Sequence, residues 1–187
     1  MLKNTKQTYG SFAKVMHWLV ALVVIAMFAV GFWMVTLDYY SEWYKVAPHY
    51  HKSVGILLAI IVVFRLLWRV LNPRPEALKS HAKWEIVIAH LAHWVMYILL
   101  FAIFLSGYLI STADGRAIEV FNWFGVPSMG EFIANQEDVA GEFHQYLAYF
   151  LIGLVLVHGA AALKHHFIDK DSTLRRMMWG SDNSDHK

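Results

Sequence analysis

Four long runs of apolar residues alternate with shorter polar segments along the chain. They predict helices over residues 12–37, 51–71, 84–112 and 142–167. Each run is near or above the roughly 20 residues that an α-helix needs to cross a bilayer. The first run is long for the apolar region of a signal peptide, so we expect it to be retained. The pattern therefore predicts an all-α integral membrane protein, arranged as an up-down four-helix bundle.

The composition supports a membrane protein and narrows its chemistry. Of the 187 residues, 58% are hydrophobic and only 16% are charged, whereas about 25% are charged in an ordinary soluble domain. The sequence contains no cysteine, which excludes disulfides, thiolate metal sites and cysteine-ligated clusters. Because no internal repeat or low-complexity linker occurs, we expect residues 1–187 to form one domain.

The distribution of lysine and arginine predicts the orientation of the helices. Thirteen of the 16 basic residues lie in the N-terminal arm, around the second connection and in the C-terminal segment. The other three are Lys45, Lys52 and Arg116. Because basic residues concentrate on the cytoplasmic side of membrane proteins, we expect both termini in the cytoplasm.

The third connection has the Gly, Pro and acidic residues of an exposed loop on the outer side. Its Phe121, Trp123 and Phe124 predict either an interfacial aromatic belt or a docking surface.

Histidines occur at two matched depths in the predicted spans. His144 begins the fourth span on the outer side, and His158 lies about 21 Å further along the same face of that helix. His51 begins the second span level with His144, and His17 lies near the level of His158. Polar groups without partners are costly in hydrocarbon, so facing histidines are expected to bind something. Paired imidazoles on facing helices hold b-type haem, and the two layers therefore predict two stacked b-type haems.

The pattern leaves alternative ligands open. His90 and His93 share a face of the third span, and depth alone does not choose between either of them and His17. His49 could replace His51, although Pro48 favours a loop conformation for it.

Other roles for these histidines are disfavoured. A zinc ion would need three or four converging ligands, and the His90 and His93 pair has no intramembrane carboxylate beyond Glu85 at the boundary. Any one histidine could be a hydrogen-bonded core residue, but four at two matched levels are harder to explain in that way.

Several motifs together resemble one family. They are "MHW" in the first span, "HKSVG" opening the second, "RLLWRVLNPRP" closing it, "HLAHWVMYILL" in the third, and "LVHGAAALKHHFIDKDSTLRRMM" at the end. From about Tyr9 to Met178 the chain resembles bacterial cytochrome b561, a small di-haem protein of the inner membrane whose group includes superoxide oxidase. The last motif is the most specific of the five.

The resemblance implies a role for each paired histidine. His17 and His158 would ligate the haem nearer the cytoplasm, and His51 and His144 would ligate the outer haem.

The resemblance also implies a quinone site at the inner end of the fourth span. His165, beside Lys164, would contact the quinone head group, while His90 and His93 would have supporting or quinone-side roles. The alternative for His165, Lys164 and His166 is a hydrated helix end that meets lipid phosphates.

The implied function is transmembrane electron transfer through two haem b groups. The partners would be a membrane quinone, with ubiquinone as the expected acceptor or donor, and a periplasmic small molecule or redox protein. We expect a multi-pass protein of the bacterial inner membrane in contact with the lipid bilayer, and no nucleic-acid partner.

The charge of the outer side bears on superoxide oxidation. Three basic residues there face eight acidic ones: Asp38, Glu42, Asp114, Glu119, Glu131, Glu137, Asp138 and Glu142. An acidic mouth repels an anion such as superoxide, although Lys52 beside His51 could make the immediate approach positive. Two further classes stay open: a membrane anchor subunit of a larger dehydrogenase or hydrogenase, and a haem-free metal or proton transporter.

Overall fold

Four long helices dominate the computed structural model, which describes residues 1–78 and 80–178. The predicted all-α membrane bundle is confirmed, since every one of the four helices is long and apolar enough to cross a membrane. Lys79 and Lys187, which contributed to the predicted orientation, lie outside the described residues, as does the rest of the chain beyond Met178. The helices are α1 (Ser11–Met34), α2 (Trp43–Leu71), α3 (Lys83–Thr112) and α4 (Gln136–Phe167).

Both ends of the described chain meet at one end of the bundle. Lys14 Nζ donates to the carbonyl of Met178 at 2.9 Å, and the Trp18 indole donates to the carbonyl of Met177 at 2.8 Å. A short 3₁₀-helix, Arg175–Met177, forms this part of the C-terminal segment. We call this end the termini face.

Two helices begin earlier than the sequence predicted. α2 begins at Trp43 rather than at residue 51, so Pro48 lies inside the helix and His49 is helical, which corrects the expected loop. Proline is tolerated here because it lies in the second turn, where only the hydrogen bond to the carbonyl of Tyr44 is lost. α4 begins at Gln136 rather than at 142, because its first turn is polar and escapes a search for apolar runs.

The third connection is folded rather than an open loop. It contains an antiparallel hairpin of β1 (Ile118–Val120) and β2 (Phe124–Val126), in which Ile118 and Val120 are buried. Ser53 of α2 is fully buried and anchors the hairpin, because its hydroxyl accepts the backbone N–H of Phe121 at 3.0 Å. We call this end of the bundle the hairpin face.

The aromatic residues of the hairpin divide between two environments. Phe121 packs against Tyr50 and Trp123, with ring centres 5.9 and 5.3 Å away. Trp123 itself is 73% exposed, and Phe124 is also exposed. The hairpin therefore presents Trp123 outward while Phe121 fastens it to α2.

The core lies between the two histidine levels, and most other large apolar side chains face outward. Leu151 of α4, seven residues from both His144 and His158, belongs to this core. The other buried members are Val20, Leu58, Val62, Tyr97, Leu99 and Leu100. An exposed apolar surface of this extent is expected of a bundle that faces lipid tails rather than water.

Candidate functional site

The histidine pair at the hairpin face joins α2 and α4. The ring centres of His51 and His144 are 6.4 Å apart, with planes inclined by 71°. His144 Nδ1 lies 3.1 Å from the carbonyl of Ile103 and 3.1 Å from the Ser106 hydroxyl. A carbonyl can only accept, so His144 carries its proton on Nδ1 and keeps the Nε2 lone pair for a ligand.

Two glycines lie against this pair. A Cβ at Gly31 would lie 3.3 Å from His51 Cε1, and one at Gly107 would lie 3.2 Å from His144 Cε1. Both distances are tighter than an ordinary van der Waals contact, so even alanine would press on the imidazoles. The glycines of α1 and α3 therefore leave the space in which the two rings stand.

The second histidine group lies toward the termini face and has three members. The ring centres of His17 and His158 are 6.2 Å apart, with planes inclined by 67°. His93 is also close, since its ring centre lies 5.1 Å from that of His158. His90 is exposed on the outside of the bundle. The structure therefore leaves His17 and His93, but not His90, as neighbours of His158.

Hydrogen bonds distinguish His17 from His93. Arg65 Nη2 lies 2.9 Å from His17 Nδ1, and because a guanidinium can only donate, this nitrogen accepts. A His17 that ligates iron through Nε2 would carry its proton on Nδ1, so ligation requires the Arg65 side chain to turn away. His93 Nδ1 lies 2.6 Å from the carbonyl of Ala89, which leaves Nε2 of His93 without the proton.

The spacing of both pairs suits a metal held between two imidazoles. A metal ion lies about 2 Å from each ligating nitrogen, which places the two ring centres about 6 Å apart. The observed 6.2 and 6.4 Å agree with this requirement. In addition, His51 Nδ1 is buried and has no hydrogen-bond partner among residues 1–78 and 80–178. A buried nitrogen of this kind is expected where another group completes the site.

The two histidines of each pair belong to different helix pairs of the bundle. α1 packs mainly on α2 and α3 mainly on α4, while α4 approaches α1 closely at few points. The paired histidines therefore face one another across the loose seam between two tight helix pairs. A flat macrocycle ligated from both sides requires a seam of this kind.

A polar cluster surrounds the quinone-site residues predicted at the end of α4. Lys164 Nζ lies 2.7 Å from Asp169 Oδ2 and 3.3 Å from Glu85 Oε1. The Lys164 ammonium holds the pKa of the Asp169 carboxyl below its usual range. His165 lies seven residues after His158, which is about 10 Å further along the same face of α4.

The structure also places the remaining histidines and shows neighbours that the sequence argument missed. His49 lies in α2, where its carbonyl accepts the Ser53 hydroxyl at 2.9 Å, and His166 has a buried Nδ1.

Ser106 and Arg65 were not predicted to contact ligand histidines. Arg65 had a visible signal, since it is a charged residue inside an apolar run, whereas Ser106 had none.

Comparisons with known proteins identify the family of the chain. Residues 8–180 match the family model described as prokaryotic cytochrome b561. The chain is similar to cytochrome b561 homolog 2 of Escherichia coli (strain K12), with 51% identity over 183 residues, which cover 98% of this chain and 97% of that protein. It is also similar to the probable superoxide oxidase CybB of Yersinia pestis, with 32% identity over 166 residues, covering 87% and 90%. Cytochrome b561 homolog 1 of Escherichia coli (strain K12) is 25% identical over 166 residues, covering 87% and 92%.

Proposed function

The chain belongs to the prokaryotic cytochrome b561 family of membrane electron-transfer proteins, and on that premise we propose that it holds two b-type haems and connects a periplasmic redox partner with a membrane quinone. Membership confirms the resemblance seen in the sequence motifs, and b-type haem is the cofactor of the family. The number of haems, their ligands and the two redox partners are the proposal. The observation that carries it is that two histidine pairs lie at two depths of one bundle. The ring centres are 6.2 Å apart within one pair and 6.4 Å apart within the other.

The proposed ligands are His51 and His144 at the hairpin face, and His17 and His158 toward the termini face. Haem iron, when bound, supplies one-electron redox chemistry within a layer that otherwise blocks charge. The chain's own residues orient the ligands: Ile103 fixes the His144 tautomer, and Gly107 leaves room for its ring. A fixed tautomer matters because the proton on Nδ1 keeps Nε2 available to the metal.

Haem content tests the proposal directly. The purified protein is expected to contain about two haems per chain and to show a sharp b-type α-band in a reduced-minus-oxidised spectrum, as two bis-histidine layers require. His51→Gln should lower the haem content to about one per chain. The neighbouring His49→Gln serves as the matched control and should retain both haems. A haem-supplemented, well-folded preparation that binds no haem would contradict the proposal and favour the transport alternative.

A second pair of variants chooses between the two neighbours of His158. His17→Gln should remove the haem of the termini side, whereas His93→Gln should retain two haems. The opposite result would assign the ligand role to His93, which already has its Nδ1 directed at the carbonyl of Ala89.

The termini face is the proposed quinone end and the proposed cytoplasmic side. The excess of lysine and arginine near this face supports the orientation, because such residues concentrate in cytoplasmic segments. Lys164 and His165 lie at the end of α4, and both side chains can donate a hydrogen bond to a quinone oxygen. Lys164→Gln should weaken quinone reduction, measured as the rate at which a short-chain ubiquinone reoxidises the reduced protein.

Superoxide oxidation is a second candidate activity, supported by the relative named probable superoxide oxidase. The acidic residues of the hairpin side oppose it, because a negative surface repels an anionic substrate. Lys52 is the local exception beside His51. Rapid reduction of the haems by superoxide, slowed by Lys52→Gln, would establish this activity. A donor that is a basic redox protein would instead react faster at low salt.

A further inference from the structure

Three side chains from separate segments meet at the termini face. They are His81 from the connection between α2 and α3, His165 from the last turn of α4, and Asp171 from the C-terminal segment. His81 Nε2 lies 2.9 Å from Asp171 Oδ2, and His165 Nδ1 lies 3.3 Å from the same oxygen. One carboxylate oxygen therefore faces two imidazole nitrogens.

The surrounding residues hold this group in a ligating form. The other Asp171 oxygen, Oδ1, accepts the backbone N–H of Thr173 at 2.8 Å, which fixes the orientation of the carboxylate. With Oδ1 held by this backbone contact, Oδ2 is directed at the two imidazoles.

The Nδ1 atom of His165 lies close to the carboxylates of both Asp169 and Asp171. This nitrogen is buried and has no well-aligned hydrogen bond within the described part of the chain, although Asp169 Oδ2 lies only 2.8 Å away. The side chains of His81, His165 and Asp171 are 16%, 15% and 7% exposed. The group is thus shielded but reachable from the surface.

We propose that His81, His165 and Asp171 form a zinc-binding site. Zinc bonds of 2.0–2.2 Å to imidazole and carboxylate place tetrahedral ligand atoms about 3.3 Å apart. The two imidazole nitrogens lie 2.9 and 3.3 Å from Asp171 Oδ2, and all three ligand atoms lie within 4.8 Å of one another. Two nitrogen donors favour zinc over magnesium, which prefers oxygen ligands. A fourth position is left for water, and the ion would join three chain segments at one point.

A neighbouring set is less suitable. Glu85, Asp169 and His165 also bring ligating atoms together. However, the Lys164 ammonium lies 2.7 Å from Asp169 and 3.3 Å from Glu85, so a cation already neutralises those carboxylates. This set also offers one imidazole instead of two.

Zinc at this site would affect electron transfer, and this consequence rests on the proposed quinone role of His165. The zinc ion and the quinone oxygen would both use His165 Nδ1, the nitrogen that faces Asp171, and one imidazole nitrogen cannot serve both. Zinc should therefore slow quinone reduction by competing for His165, without removing haem.

Equilibrium dialysis of the haem-loaded protein against zinc chloride, after treatment with a chelator, tests the site. We expect one zinc ion per chain, and magnesium should not displace it. His81→Gln and Asp171→Asn should each weaken binding at least about tenfold. The matched control His49→Gln, at the opposite end of the bundle, should bind zinc as the unchanged protein does. Equal zinc binding by all four proteins, or none by the unchanged protein, would overturn the proposal.

X-ray absorption at the zinc edge provides a measurement that does not depend on the folding of variants. The unchanged protein should show four nitrogen or oxygen neighbours, with scattering from two imidazoles. A spectrum without imidazole scattering would refute the site.

Quinone kinetics separate this inference from the function on which part of it rests. Zinc that binds as expected but leaves quinone reduction unchanged would contradict the quinone role of His165 Nδ1 and not the metal site. Quinone reduction without zinc binding would contradict the metal site alone.

Discussion

The two histidine layers differ in how their surroundings treat the imidazoles. At the hairpin face, His144 donates to the carbonyl of Ile103 and stands beside Gly107, with a neutral hydroxyl from Ser106. Toward the termini face, a guanidinium of Arg65 contacts His17 directly. The layer at the hairpin face is distinguished by the space beside Gly107 and by the fixed tautomer of His144. The layer toward the termini face is distinguished by the positive charge of Arg65.

The cation of the second layer also lies near an aromatic ring. The Arg65 guanidinium lies 5.6 Å from the centre of the buried Tyr97 ring, and that of Arg69 lies 6.0 Å from it. A ring face stabilises a nearby cation, most strongly where water is excluded. A positive charge near a metal centre favours its reduced form, so the two layers should differ in redox potential.

The largest effect should come from filling the space at the hairpin layer. Gly107→Leu would place a side chain where even a Cβ lies 3.2 Å from the His144 ring, so we expect haem content to fall from about two to about one per chain. Haem quantification on the purified protein measures this. Gly153→Leu on α4 is the matched control, because a Cβ there meets nothing within 4 Å. If both variants retained two haems, the hairpin layer would not be a haem site.

A smaller effect should follow from removing the charge at the other layer. Arg65→Gln should retain both haems but lower the potential of one by tens of millivolts, because the oxidised centre no longer faces a cation in a medium of low dielectric. A redox titration followed in the α-band would resolve the two centres. Arg116→Gln, on the exposed side of the third connection, should leave both potentials in place. A potential that rises in Arg65→Gln would contradict the proposed role of the cation.

The smallest effect is expected from Ser106→Ala. His144 retains the carbonyl of Ile103 as its acceptor, and the hydroxyl that is lost is neutral, so the net cost of about 1 kcal/mol should not release haem. The same redox titration should show a shift in the hairpin-side centre that is smaller than the shift in Arg65→Gln. A larger shift would mean that Ser106, and not the backbone carbonyl, orients His144.

The sequence predicted the secondary structure well where a single physical rule applied. The length of the apolar runs predicted the four helices. The spacing of His144 and His158 along one face of α4 predicted two levels of histidines. The sequence failed at two helix beginnings. α4 starts earlier because its first turn is polar, and α2 starts earlier because Pro48 is tolerated in its second turn. It also missed the hairpin of the third connection, whose strands are only three residues each.

The sequence by itself determined that this chain is a helical membrane bundle with histidines at two depths, because apolar length and helical periodicity are local properties. Only the tertiary structure decided that His93 stands beside His158 while His90 faces outward, that Arg65 reaches His17, and that His81 meets Asp171. These contacts join residues 48 and 90 positions apart in two of the cases. They depend on how the helices rotate and pack, which no local pattern records.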